Sequence, residues 1–169
     1  MVELEKDYAT KVIAPAVFVA IVLAAAWLAF AGAKGTLGPW YDPVVTREEV
    51  DAAIWVDKNI PAKSLFAADL FACEMLVSAG NQVCTIGGAW ELADNANTRF
   101  YENEQAFMSN SSQQAHTLFA KYRVQYVFVH PRTSFYAYGW KKGNITKFSD
   151  AKYFERVYAD RGTEIYRVK

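Results

Sequence analysis

The sequence predicts an α/β protein: one N-terminal transmembrane helix followed by a three-layer α/β domain with a mainly parallel sheet and a C-terminal antiparallel hairpin. Three observations predict it. Residues 12–33 form an unbroken apolar run bounded by Lys11 and Lys34. From Thr46 onward, segments of helical spacing alternate with short β-rich runs, the pattern of parallel strands with helices on their faces. Near the end, Asp160-Arg161-Gly162 separates two β-rich runs and marks a hairpin. The implied organisation is a flank at 1–11, a transmembrane helix at 12–33, a linker at 34–45 and a soluble domain at 46–169.

As a helix the apolar run covers roughly 30 Å at ~1.5 Å per residue, the thickness of a bilayer's hydrocarbon core. Pro15 lies near its start, where a missing N–H is least costly. Two alternatives stand beside an uncleaved anchor. One is a secretory signal, with Lys6 and Lys11 as its charged region and Ala31-Gly32-Ala33 as its cleavage site, although signal cores run only about 7–15 residues. The other is a buried helix of a soluble fold. Lys6 and Lys11 before the run nearly balance Lys34 and Arg47 after it, so the flanking charges give only a lean towards an outward C-terminal domain. Trp40 and Tyr41 suit the aromatic belt at the membrane surface.

Gly35, Gly38, Pro39 and Pro43 make the following stretch a linker. Thr46 opens a helix, with Glu49 completing a capping box and Val50, Ala53, Ile54 and Asp57 along one side. Pro61 ends it. A short strand is predicted at 64–68. Asp69 caps a helix at 70–79, with Gly80 as its left-handed stop. A strand at 82–86 is broken by Gly87-Gly88. Helices are predicted at 98–108 and, capped by Ser111 or Ser112, through Tyr122, the latter with Ala115, Leu118, Phe119 and Tyr122 on one face. The near-continuous apolar run at 124–130 is the strongest strand and suits a position covered on both faces. The hairpin strands are predicted at 154–159 and 163–168.

Eighteen basic and eighteen acidic residues leave no net charge, which argues against a nucleic-acid partner and against a polybasic lipid patch. Cys73 and Cys84 form a disulfide if the domain lies in an oxidising compartment, or stay as buried thiols if it does not. Two cysteines and two distant histidines give no metal-ligand spacing, and Gly87-Gly88 is too short for a phosphate fingerprint. No cofactor and no metal are therefore expected. Asn110-Ser111-Ser112 and Asn144-Ile145-Thr146 are glycosylation sequons in turn-like stretches.

Trp90, Glu91 and Asp94 follow the end of the second strand, where parallel α/β sheets bind ligands; a polar surface loop is the plain alternative. Tyr136, Tyr138 and Trp140 share one face if that segment is extended. They then stack on sugars, sit at the headgroup level, or pack under a loop. His116 and His130 read as hydrogen-bonded structural residues, and Glu102 and Glu104 as a solvated pair. No nucleophile elbow occurs, and no catalytic residue is assigned.

Several segments together resemble archaeal polytopic membrane glycosyltransferases and the oligosaccharyltransferase-like proteins among them. Trp55-Val56-Asp57-Lys58-Asn59-Ile60-Pro61 resembles the tryptophan and Asn-x-Pro helix exit after their last span. Tyr122-Arg123-Val124-Gln125-Tyr126-Val127-Phe128-Val129 is similar to their Tyr-Gly-Val-x-Tyr-Val strand. Phe148-Ser149-Asp150-Ala151-Lys152-Tyr153-Phe154-Glu155-Arg156-Val157-Tyr158, with Ile165-Tyr166-Arg167-Val168, is similar to their closing hairpin. The resemblance spans roughly residues 48–168, within a few residues at each end. It implies an outward-facing domain beside a multi-span catalytic module. This sequence has no counterpart of that module, and it reads as the last span plus outer domain, either as a stand-alone paralogue or as a piece of a longer chain. Where oligosaccharyltransferases carry the acceptor-reading Trp-Trp-Asp-Tyr-Gly, it has Phe66-Ala67-Ala68-Asp69-Leu70-Phe71, with Asp69 as the one remnant.

The leading expectation is a single-pass membrane protein whose extracytoplasmic domain is an accessory or binding module. Its partners are then the lipid bilayer, a glycan or lipid-linked sugar, and other membrane subunits. The alternatives are a fragment or subunit of a lipid-linked-sugar-dependent glycosyltransferase and a structural cell-envelope protein.

Overall fold

The computed structural model of the protein describes residues 11, 13–36, 45–87, 92, 94–130 and 144–169. The chain divides into two units, Met1–Pro43 and Val44–Lys169. In the first, helix α1 spans Ala14–Thr36. It continues through Lys34 and Gly35, since each glycine weakens a helix by only ~1 kcal/mol. None of its Pro15–Gly32 stretch is buried, and by length and composition it can cross a membrane.

The second unit has the predicted class. Its elements are α2 (Arg47–Asn59), β1 (Leu65–Ala67), α3 (Leu70–Ser78), β2 (Val83–Cys84), α4 (Ala96–Met108), α5 (Ser112–Lys121), β3 (Tyr126–Val129), a 3₁₀ segment (Ile145–Ser149), β4 (Phe154–Asp160) and β5 (Thr163–Val168). The sheet order is β2-β1-β3-β5-β4. Strand β1 pairs in parallel with β2 and β3, and β5 pairs antiparallel with β3 and β4. The chain steps from β1 outward to β2, then back past β1 to β3. Right-handed crossovers therefore put α3 on one face and α4 with α5 on the other. Trp55 of α2 meets Tyr158 of β4 with ring centroids 4.9 Å apart on the α3 side. On the opposite face Phe107, Phe119, Phe148, Phe154 and Tyr166 form a chain of ring contacts.

A β-bulge divides these two aromatic sets. Arg156 pairs with Tyr166 and Tyr158 pairs with Ile165, so Val157 is an extra residue on β4. The insertion turns Tyr158 to the face opposite Phe154 and Arg156, although all three have even numbers.

Four local expectations change. The buried side of α2 carries Glu49, Ala52, Ala53 and Val56, while Val50 and Ile54 are exposed. The helix is rotated because Glu49 is drawn inward by a polar partner described below. The left-handed residue after α3 is Asn81 (φ 53°), not Gly80. Asn tolerates this region, and Gly80 instead clears the Leu76 carbonyl, which a Cβ would approach to 2.9 Å. Strand β3 begins only at Tyr126, because Arg123 turns left-handed (φ 58°) and the Val124 N–H donates to the Phe119 carbonyl at the end of α5. The 3₁₀ segment, with Asn144 capping it, was not foreseen.

Cys73 of α3 and Cys84 of β2 are joined by a disulfide with Cα atoms 5.6 Å apart. The chain beyond β2 passes directly over this bond. A Cβ at Gly87 would lie 2.8 Å from the Cys73 Cβ, so only glycine fits there.

Candidate functional site

The carboxyl ends of β1, β2 and β3 carry a cluster of buried polar side chains. Each sits just past a strand or on a helix that covers this edge. Asp69 follows β1, Thr85 follows β2 and His130 follows β3, while Glu49 comes from the first turn of α2 and Asn103 from mid-α4. All five are buried.

Their hydrogen bonds divide into two groups. In the first, the Asn103 Nδ2 donates to the Ala68 carbonyl at 2.9 Å, and the Thr85 hydroxyl donates to Asn103 Oδ1 at 2.9 Å. Asn103 thus ties the exit of β1 to the exit of β2. In the second, His130 lies between two carboxylates. Its Nε2 bonds Asp69 Oδ2, and its Nδ1 faces Glu49 Oε1 at 3.4 Å. Each carboxylate also caps a helix. Asp69 Oδ1 accepts from the Ala72 N–H at 2.8 Å, and Glu49 Oε2 accepts from the Thr46 N–H at 2.6 Å. Negative charge at a helix N-terminus is favourable, so two helix starts hold the two anions. The node fixes α2, α3 and β3 to one another.

Of the sequence-predicted site residues, the structure places Asp69 inside this node, with both oxygens engaged. Asp94 is exposed in the turn before α4. Trp90, Glu91, Tyr136, Tyr138 and Trp140 lie outside the described residues. Asn110 and Asn144 are exposed. Sequence reasoning missed the partnership of Glu49 with His130 and the role of Asn103. The signal available was the capping box at Thr46, which marks Glu49 but does not say that its other side faces a histidine. His116 bonds the Lys169 carbonyl at 2.8 Å and leans on the Tyr153 ring. Glu102 is not merely solvated: it accepts from Lys121 Nζ at 2.6 Å and from the Tyr122 hydroxyl. The Lys121 hydrogen bond, followed by that of Tyr122, holds its carboxyl below the usual range.

Among the described residues, no group of three His, Cys, Asp or Glu side chains is placed to hold a metal ion. A cavity of about 320 Å³ lies away from the node, along β4 and β5, where Phe148, Phe154, Arg156, Tyr166 and Lys169 line it.

Lys147 is a second buried charge. Its Nζ donates to the carbonyls of Phe107 and Ser109 at 2.6 Å each and lies 4.8 Å from the Phe148 ring centroid. Burial pushes its pKa from 10.5 down to about 8. The unfolded chain keeps this proton up to pH ~10.5, while the folded chain releases it from about pH 8. The penalty for burying the charge is therefore full below pH 8 and fades as pH rises towards 10.5. Relative to Lys147→Met, the wild type should gain stability between pH 8 and 10, read as urea midpoints across that window. Parallel midpoints for the two proteins would refute the charged burial.

No protein-family model matches the chain, and no curated protein matches it in sequence. Among solved structures it is similar to the C-terminal globular domain of an oligosaccharyltransferase from Archaeoglobus fulgidus. The two share 12% identity with a TM-score of 0.53, over 74% of this chain and 99% of that domain. The likeness is one of fold, and it falls on the domain type that the sequence motifs resemble.

Proposed function

We propose, on the premise of that shared domain fold, that the chain is a membrane-anchored, extracytoplasmic accessory or binding domain related to the outer domains of membrane glycosyltransferases. The observation that supports this most directly is an apolar, fully exposed helix preceding such a domain in one chain. Helix α1 anchors it, and the carboxyl edge of β1, β2 and β3 receives a glycan or lipid-linked sugar. The buried node at that edge positions backbone, and Asp94 with the aromatic segments that carry Trp90, Glu91, Tyr136, Tyr138 and Trp140 supplies contacts. Bond-making chemistry belongs to a partner subunit.

Two measurements test this. Wild-type chain should stay in the membrane pellet after alkaline carbonate extraction. A Leu23→Arg, Ala25→Arg variant should be released, since each Arg disfavours insertion by about 2.5–3.5 kcal/mol at a span centre. Retention of the variant would refute the anchor. Titration of the full chain in detergent with a lipid-linked oligosaccharide should quench tryptophan fluorescence saturably without consuming the ligand. Turnover by this chain alone would replace the accessory reading with an enzyme.

A further inference from the structure

The two sequons, whose asparagines are 34 residues apart in sequence, meet at one corner of the folded domain. Asn110 lies in the turn between α4 and α5, and Asn144 caps the 3₁₀ segment. The main-chain N–H of Asn144 donates to Asn110 Oδ1 at 3.1 Å. Asn144 Oδ1 accepts from the Thr146 N–H at 3.0 Å and the Thr146 hydroxyl at 2.6 Å. The Ser112 hydroxyl donates to the Lys147 carbonyl at 3.0 Å, and the buried Lys147 ammonium fastens the same segment to the end of α4. Each carboxamide thus uses its oxygen to build the corner. Both asparagines are exposed, and neither Nδ2 makes a hydrogen bond among the described residues.

We propose that Asn110 and Asn144 form a paired N-glycan site, each carrying an oligosaccharide on Nδ2 of the folded domain. This rests on the extracytoplasmic placement proposed above. The donor is a lipid-phosphate-linked or lipid-pyrophosphate-linked oligosaccharide, supplied by a separate membrane transferase. Nδ2 attacks the anomeric carbon, the C1–O bond to phosphate breaks, the lipid phosphate leaves with that electron pair, and one Nδ2 proton is lost. The amide keeps its second hydrogen and its oxygen, so every hydrogen bond of the corner survives modification. A corner covered by two glycans faces solvent, and partner docking falls elsewhere on the domain.

The test is intact-mass spectrometry of the full chain, expressed in a cell that N-glycosylates at the outer face of its membrane. A reporter Asn-Gly-Thr is appended after Lys169 through a Gly/Ser spacer. Three glycan increments are expected. Ser112→Ala and Thr146→Ala, which erase one sequon each but keep both asparagines, should each remove one. Modification of the reporter alone, or of only one native asparagine, overturns the paired site and leaves the orientation intact. An unmodified reporter means the domain faces inward, and the orientation and the paired site fall together.

Discussion

Replacing His130 by leucine should lower the unfolding free energy of the domain by about 3–5 kcal/mol, the range for removing one partner of a buried ion pair. Glu49 is fully buried and Asp69 nearly so. Each already accepts from a helix N–H, and the imidazole lies between them. Without the ring, Glu49 and Asp69 each lose a buried polar partner in a water-excluded space, and leaving buried polar groups short of a partner carries the full desolvation cost. Asp69→Asn is a milder change: asparagine caps a helix as well as aspartate does, so the Ala72 bond survives. The order of losses, His130→Leu well above Asp69→Asn, distinguishes the node from two independent caps. Denaturant midpoints of the full chain in detergent, followed by near-ultraviolet circular dichroism, read both. A His130→Leu loss under about 1 kcal/mol would refute the node, because such a value is typical of an exposed pair.

The second large effect is expected at Val127. It is fully buried in β3, between Ala67 of β1 and Tyr166 of β5. Val127→Asp places a carboxylate on the face covered by aromatic rings. Burying such a group without a partner costs several kcal/mol, a large part of the ~5–15 kcal/mol that holds a domain together. Loss of near-ultraviolet dichroism at room temperature is the expected result. The same substitution at Val50, on the exposed side of α2, should stay within about 0.5 kcal/mol. A folded Val127→Asp protein would mean that β3 is not central. A strongly destabilised Val50→Asp protein would mean that α2 packs on the side its sequence pattern suggested.

Helix α2 shows where sequence reasoning stops. Its start was legible, because Thr46 and Glu49 form a capping box from local residues alone. Its rotation was not, because the ring that draws Glu49 inward is 81 positions away, at the end of β3. Periodicity offered Val50 and Ile54 as an apolar side, and long-range packing of Glu49, Ala52, Ala53 and Val56 overrode it. The hairpin behaves similarly. Asp160-Arg161-Gly162 gave the turn, with Arg161 and Gly162 both at positive φ. The bulge at Val157 had no sequence mark, and it decides that Tyr158 packs on Trp55 instead of joining the phenylalanines. At the candidate site, Asp69 was legible as a cap and as a motif remnant, while its engagement by His130 was not.

By itself the sequence determined the class of the domain, the order of its strands and helices along the chain, the N-caps of α2 and α3 at Thr46 and Asp69, and the apolar segment long enough for a bilayer. These follow from interactions within a few residues: spacing of apolar side chains, cap hydrogen bonds and the conformational limits of glycine and proline. Only the tertiary structure decided the sheet order, the burial of Glu49, Asp69 and His130 as one node, and the meeting of the two sequons. Each depends on groups brought together from distant parts of the chain, and burial makes a polar pair necessary only once the surrounding layers have closed over it.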